Sequence, residues 1–138
     1  MPILEWKECF TLGIEQFDNH HRHLVDLLNR AHDDYLADAD VVRLTATLHE
    51  FFDYAMYHFK IEEQYMEEIG YAGYAEHLEY HRNFSGQVAA MEHDLTQVWR
   101  NLPMEMLSFL QNWLTYDITI ADADYVRFSA GNNLKECA

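Results

Sequence analysis

Apolar residues recur at helical spacing in four separate stretches of this chain, and each stretch interrupts its own stripe with histidine or carboxylate. Residues three and four apart share one helix face, so whatever interrupts a buried stripe is buried with it. Only five Gly and two Pro occur in 138 residues, and no alternating β-branched run stands out. That pattern leaves long helices with short connections. The periodicity predicts helices over 18–36, from 40 or 41 to 69, over 74–98 and over 101–121. Asp18 is expected to cap the first. Gly70 is expected to stop the second, and Asn101 with Pro103 to open the fourth. Residues 1–17 read as an arm on the domain and 122–138 as a tail. The implied fold is all-α, an up-down-up-down four-helix bundle with an N-terminal arm, as one domain over 1–138.

The formal net charge of -15 disfavours phosphate backbones and anionic membrane surfaces, so neither nucleic acid nor membrane is an expected partner. Most of the acid reads as solvated surface, with bound cations as a second role. "MPILEWKECF" has no long apolar run after a basic start, and no stretch approaches the ~20 apolar residues of a membrane span. The expected location is cytoplasmic. Cys9 and Cys137 sit near opposite ends without CxxC spacing, and read most simply as free thiols, with a link between the termini as the alternative. A monomer or weak oligomer is expected, with Tyr71 and Tyr74 as candidate contact residues and no protein partner indicated.

The polar interruptions are specific. The second predicted helix offers His58 and Glu62 at i and i+4, and the third offers His77 and His81 at the same spacing. The first offers His21. In the last, Met106, Phe109, Leu110, Trp113 and Ile120 form the stripe, and Asp117 and Asp122 interrupt it. A lone histidine on an apolar face is more often a satisfied core residue, which suits His32, His49 and His93. One of His20, His21 and His23 can face inward by chance. A ligand-type group on every one of four successive helices is another matter, and it points to metal. Imidazole and carboxylate without thiolate suit iron, manganese or zinc. Seven candidates exceed the four that a tetrahedral zinc needs. They suit two irons sharing Glu62 and Asp122 as bridges, whose charge would offset the several kcal/mol that a buried lone carboxylate costs. Glu63 points off the inner face and reads as solvated. No nucleophilic triad, phosphate-cradling Gly loop or basic patch is present, so no catalytic residue is assigned.

These residues also carry a resemblance. "GIEQFDNHHRHLVDLLN" (13–29), "HFKIEEQYM" (58–66), "HLEYH" (77–81) and "WLTYDITIAD" (113–122) resemble the motifs of bacterial hemerythrins, as do Trp6 and Gly13 in the arm. The resemblance implies two irons with an oxo or hydroxo bridge. His77 and His81 would hold one, His21 and His58 the other, and Glu62 and Asp122 would bridge. It also implies binding of dioxygen or another small diatomic or peroxide ligand, with Leu24, Phe59, Trp113 and Ile118 as candidates for the apolar oxygen pocket. Two positions depart from the family pattern. His20 stands where Gln is usual. Asp117 stands where the family has a third histidine on the histidine-rich iron. Asp117 can ligate directly, act through a water, bond a neighbouring histidine, or turn to solvent. The expected function is oxygen binding for carriage or sensing. The alternative is a di-iron oxidase or peroxidase, or a protein that handles iron or nitric oxide.

Overall fold

Helix α1 spans Glu15–Leu36, α2 Val41–Glu68, α3 Tyr74–Gln97 and α4 Leu102–Tyr116. A π turn over Asp117–Ala121 then leads into α5, Asp122–Ala130. The structure is a computed structural model that describes residues 2–37, 41–97, 102–131, 134 and 137. The expected cap at Asn101, the start at Asp40 and the end of the third helix at Val98 lie outside the described residues. α1 and α3 each pack on both α2 and α4, which gives the expected four-helix bundle. Among the described residues no strand occurs.

The buried side chains form two apolar clusters. The larger includes Leu24, Leu28, Leu48, Phe51, Phe59, Phe84, Leu110, Trp113 and Ile118. The smaller joins Leu12, Phe17, Met66, Ala123, Tyr125 and Val126. A layer of polar groups lies between them. Phe17 and Tyr125 of the smaller cluster contact the His58 and His77 rings, and Phe59 of the larger stacks on His81.

Several expectations about the ends of helices are corrected. Asp18 is not a cap, because α1 already begins at Glu15, with Ile14 before it. The Asp18 carboxylate is buried and instead accepts from the backbone N–H groups of Leu12 at 2.8 Å and Gly13 at 3.1 Å. Gly13 has φ of 93°, a conformation only glycine adopts freely, and it turns the arm so that both amides face the carboxylate. The arm is tied elsewhere too: Leu4 and Asn29 exchange two hydrogen bonds, and the Gln111 amide donates to the Ile3 carbonyl. Gly70, at φ 65°, does end α2.

At the other end, residues 122–130 are helical rather than a tail, because the π turn carries the helix on beyond Ala121. The same turn moves Ile120 off the stripe, leaving it 47% exposed while Ile118 is buried. Cys9 and Cys137 are not free thiols but a disulfide with Cα atoms 5.3 Å apart, since the arm and the end of the chain meet on one side of the bundle. Tyr71 is half-buried, its ring against Tyr125 and Phe128, and Tyr74 is half-buried against the same cluster. No helix is long and apolar enough to cross a membrane among the described residues.

Asp18→Ala would leave two amides without their acceptor. It is expected to lower unfolding stability by about 1–3 kcal/mol in urea titrations, and an unchanged midpoint would contradict the role given to Asp18.

Candidate metal centre

All seven inward groups meet in the polar layer. α1 contributes His21, α2 His58 and Glu62, α3 His77 and His81, the π turn Asp117, and α5 Asp122. Each is buried, His21, His58, Glu62, Asp117 and Asp122 completely so. Their ligand-type atoms form two neighbouring groups: His21, His58, Asp117 and Asp122 in one, Glu62, His77 and His81 in the other. This grouping sets Asp117 beside His21 and His58, with its Oδ2 3.8 Å from His21 Nε2.

The π turn explains how two aspartates five residues apart share a face. At about 100° per residue, such positions on a regular helix point about 140° apart. The i→i+5 bonding of a π turn brings them back together. Asp122 then reaches both sides of the layer. Its Oδ2 lies 2.7 Å from His21 Nε2 and 3.3 Å from His58 Nε2, and its Oδ1 lies 3.2 Å from His77 Nε2. Glu62 Oε1 sits 3.3 Å from His58 Nε2 and 3.2 Å from His81 Nε2.

Most of these approaches are close, yet several lack hydrogen-bond geometry. Glu62 Oε1, His77 Nε2, His81 Nε2, Asp117 Oδ2 and Asp122 Oδ1 are buried with no hydrogen-bond partner. So many orphaned polar atoms in one layer would be costly in an ordinary core. Lone pairs converging on a shared point, rather than on each other, are what a cation requires, and the donor set fits one.

The outward atoms of four of these side chains are held by partners. His81 Nδ1 bonds Glu63 Oε2 at 2.8 Å, and the Tyr125 hydroxyl donates to Glu62 Oε2 at 2.6 Å. The Tyr80 hydroxyl donates to Asp117 Oδ1 at 3.1 Å, and His20 Nδ1 meets His58 Nδ1 at 2.8 Å. Such bonds fix which atom of a ligand faces a metal. Glu63 is therefore not simply solvated, as its place off the inner face suggested. It reaches across to α3. Tyr125 escaped sequence reading because it lay in the supposed tail, although it follows Asp122 by three residues in a helix. Tyr80 is separated from His81 by no residue at all and carried no signal of its own. His49 and His93 are surface residues, not core histidines, and His49 faces Glu92 at 3.6 Å. His32 is half-buried. Leu24, Phe59, Trp113 and Ile118 are buried in the larger apolar cluster beside the layer. Phe59 stacks parallel on His81 at 3.8 Å and meets Trp113 at 5.8 Å.

Charge in the layer is balanced by protons on imidazole. Burial pushes the Asp122 carboxyl up, but hydrogen bonds from His21 and His58 and the close approach of the His77 imidazole outweigh it and hold Asp122 well below the usual carboxylate range. Burial disfavours charge on His58 and His77, yet Glu62 and Asp122 hold both imidazoles above the ordinary value, His58 well above it. Burial, then the charges of Asp122 and Glu62, push Asp117 well above its ordinary value. Burial and the neighbouring His58 push His20 down to about 4, so His20 stays neutral and accepts the proton that His58 donates from Nδ1. A cation entering the layer has to displace protons from His58 and His77. Metal uptake is therefore expected to release protons and to weaken as pH falls through the raised titration range of these two imidazoles, above that of ordinary histidine. Metal titration in dilute buffer reads this directly, and uptake with no proton release would contradict the charge balance described.

Residues 12–128 match the family model for the hemerythrin HHE cation binding domain. Relatives agree. A bacteriohemerythrin of Stenotrophomonas maltophilia (strain R551-3) is 33% identical over 128 residues, covering 91% of this chain and 80% of the relative. One from Clostridium acetobutylicum is 30% identical over 128 residues, covering 88% of this chain and 97% of the relative. A solved hemerythrin point-mutant structure superposes with a TM-score of 0.82 at 25% identity, covering 91% of this chain and 95% of that one.

Proposed function

The chain belongs to the hemerythrin family, and we propose that it is a non-heme di-iron protein that binds dioxygen reversibly, for carriage or sensing. The observation that carries this reading is the division of Asp122: one oxygen faces His21 and His58, the other faces His77. A carboxylate shared in this way suits a bridge between two ions. Glu62 supports it from α2, with its Oε1 between His58 and His81. On this reading His77 and His81 hold one iron and His21 and His58 the other, with Glu62 and Asp122 between them and Asp117 as the seventh ligand.

A pair of irons joined by an oxo or hydroxo group would supply the redox change and the open position that dioxygen binding needs. The chain's own residues do the rest. Leu24, Phe59, Trp113 and Ile118 exclude water from the layer and keep its dielectric low, which favours a neutral diatomic over solvent. Tyr125 and Glu63 keep Glu62 and His81 aimed inward.

A second reading has its own observation. Asp117 adds a third buried carboxylate where the motif that this sequence resembles has histidine, and its Oδ2 lies 3.8 Å from His21 Nε2 without a hydrogen-bond partner. An added anion favours the ferric state and moves the site toward carboxylate-rich di-iron oxidases or peroxidases, which also use four-helix bundles.

The expected outcome is two irons per chain in the purified protein, with a charge-transfer band that appears in air and disappears on deoxygenation. Asp122→Ala is expected to reduce iron to below one per chain by elemental analysis. A band that forms once and cannot be reversed, with reversibility restored by Asp117→His, favours the oxidase or peroxidase reading. Protein that takes up no iron overturns both.

A further inference from the structure

We propose that Tyr80 is a positioning residue for the centre: its phenol occupies one oxygen of Asp117, so that the carboxylate meets a metal through the other oxygen alone. This rests on the di-iron reading above. Asp117 is completely buried, and its two oxygens differ in surroundings. Oδ1 accepts from the Tyr80 hydroxyl at 3.1 Å, whereas Oδ2 has no hydrogen-bond partner and faces His21 Nε2 at 3.8 Å.

The difference has chemical weight. An imidazole offers a metal one lone pair, but a free carboxylate offers two oxygens and can chelate a single ion with both. A carboxylate whose Oδ1 accepts from a phenol has that oxygen aimed at the donor and made the poorer ligand, so Oδ2 is favoured as the single donor atom that a histidine would present. The second torsion of aspartate is broad and does not choose an orientation by itself, so the choice falls to the hydrogen-bond donor.

Tyr80 is well placed to make that choice. Its ring lies nearly parallel to Trp113, at 6.3 Å and 17°. It meets His77 edge-on at 5.6 Å and Tyr116 at 5.7 Å. Three neighbours on two helices therefore hold the phenol in place. The same ring lines a surface cleft of about 130 Å³ together with Glu76, His77, Tyr116 and Asp124, while Asp117 does not line it. The phenol thus stands between the cleft and the carboxylate. Because Tyr80 lies on α3 between His77 and His81, one turn of helix supplies two ligands and also orients a third, on the π turn opposite.

The test is a cycle of four proteins: the unmodified chain, Tyr80→Phe, Asp117→Ala and the double variant. Ferrous affinity is measured anaerobically by competition with a chromophoric chelator, and the ferric spectrum is recorded alongside. Tyr80→Phe removes one oxygen and keeps the ring, so the helical circular dichroism should be unchanged. The expected result is a loss of affinity of about 10-fold on Tyr80→Phe with Asp117 present, a shifted ferric band, and no further change when Tyr80→Phe is added to Asp117→Ala. An equal loss in both backgrounds would mean that Tyr80 acts through packing, and would overturn the proposal. So would unchanged affinity and spectrum in Tyr80→Phe when the unmodified chain holds two irons. An unmodified chain that binds no iron overturns the di-iron reading and this proposal together.

Discussion

Three fully buried carboxylates, Glu62, Asp117 and Asp122, share one polar layer with four imidazoles, and the rest of the bundle is arranged around that concentration of negative charge. Carboxylates cannot sit in a core without positive charge close by. Protons on His58 and His77 supply some of it. The geometry goes further than a proton balance requires, because buried atoms of Glu62, His77, His81, Asp117 and Asp122 converge without bonding one another. Two irons would take the place of those protons with more charge and a fixed geometry, which is why the layer reads as a metal centre and not as a network of ion pairs.

The four helices divide the work. α1, α2 and α3 bring histidines at regular helical spacing, and the fourth helical segment brings aspartates at a spacing that a regular helix cannot use. The π turn resolves that conflict by adding the turn that sets Asp117 and Asp122 on one face. It also continues the helix into α5, which delivers Tyr125 to Glu62. Four of the seven inward side chains are matched by an outward partner on another element: Glu63 on α2 for His81 on α3, Tyr125 on α5 for Glu62 on α2, His20 on α1 for His58 on α2, Tyr80 on α3 for Asp117. The hydrogen bonds that orient the layer therefore also tie the helices to one another.

What was legible in the sequence follows from what sequence encodes. Helical periodicity gave four helices, and i,i+4 pairs such as His58–Glu62 and His77–His81 gave the inward groups, because one helix fixes the relation between those side chains. Relations between distant segments were harder. The partnership of Cys9 with Cys137 depends on where two ends of the chain arrive, and nothing in their spacing shows it. Asp18 looked like a helix cap because a carboxylate before an apolar run usually is one, and only the glycine turn at Gly13 reveals that it receives the arm instead. The π turn is invisible to a 3.6-residue period. For that reason a regular period puts Ile120 inside and gives Tyr125 no helix to stand on, whereas the structure exposes Ile120 and buries Tyr125 in α5.

The most direct test of a centre bridged by Asp122 is iron K-edge X-ray absorption on the iron-loaded protein. Two irons sharing carboxylates should give a metal–metal scattering shell at about 3.5–4 Å or less, and Asp122→Ala should abolish it. Iron bound with no metal–metal shell would mean that the two groups of ligands hold separate ions or one ion, and would contradict the bridged centre.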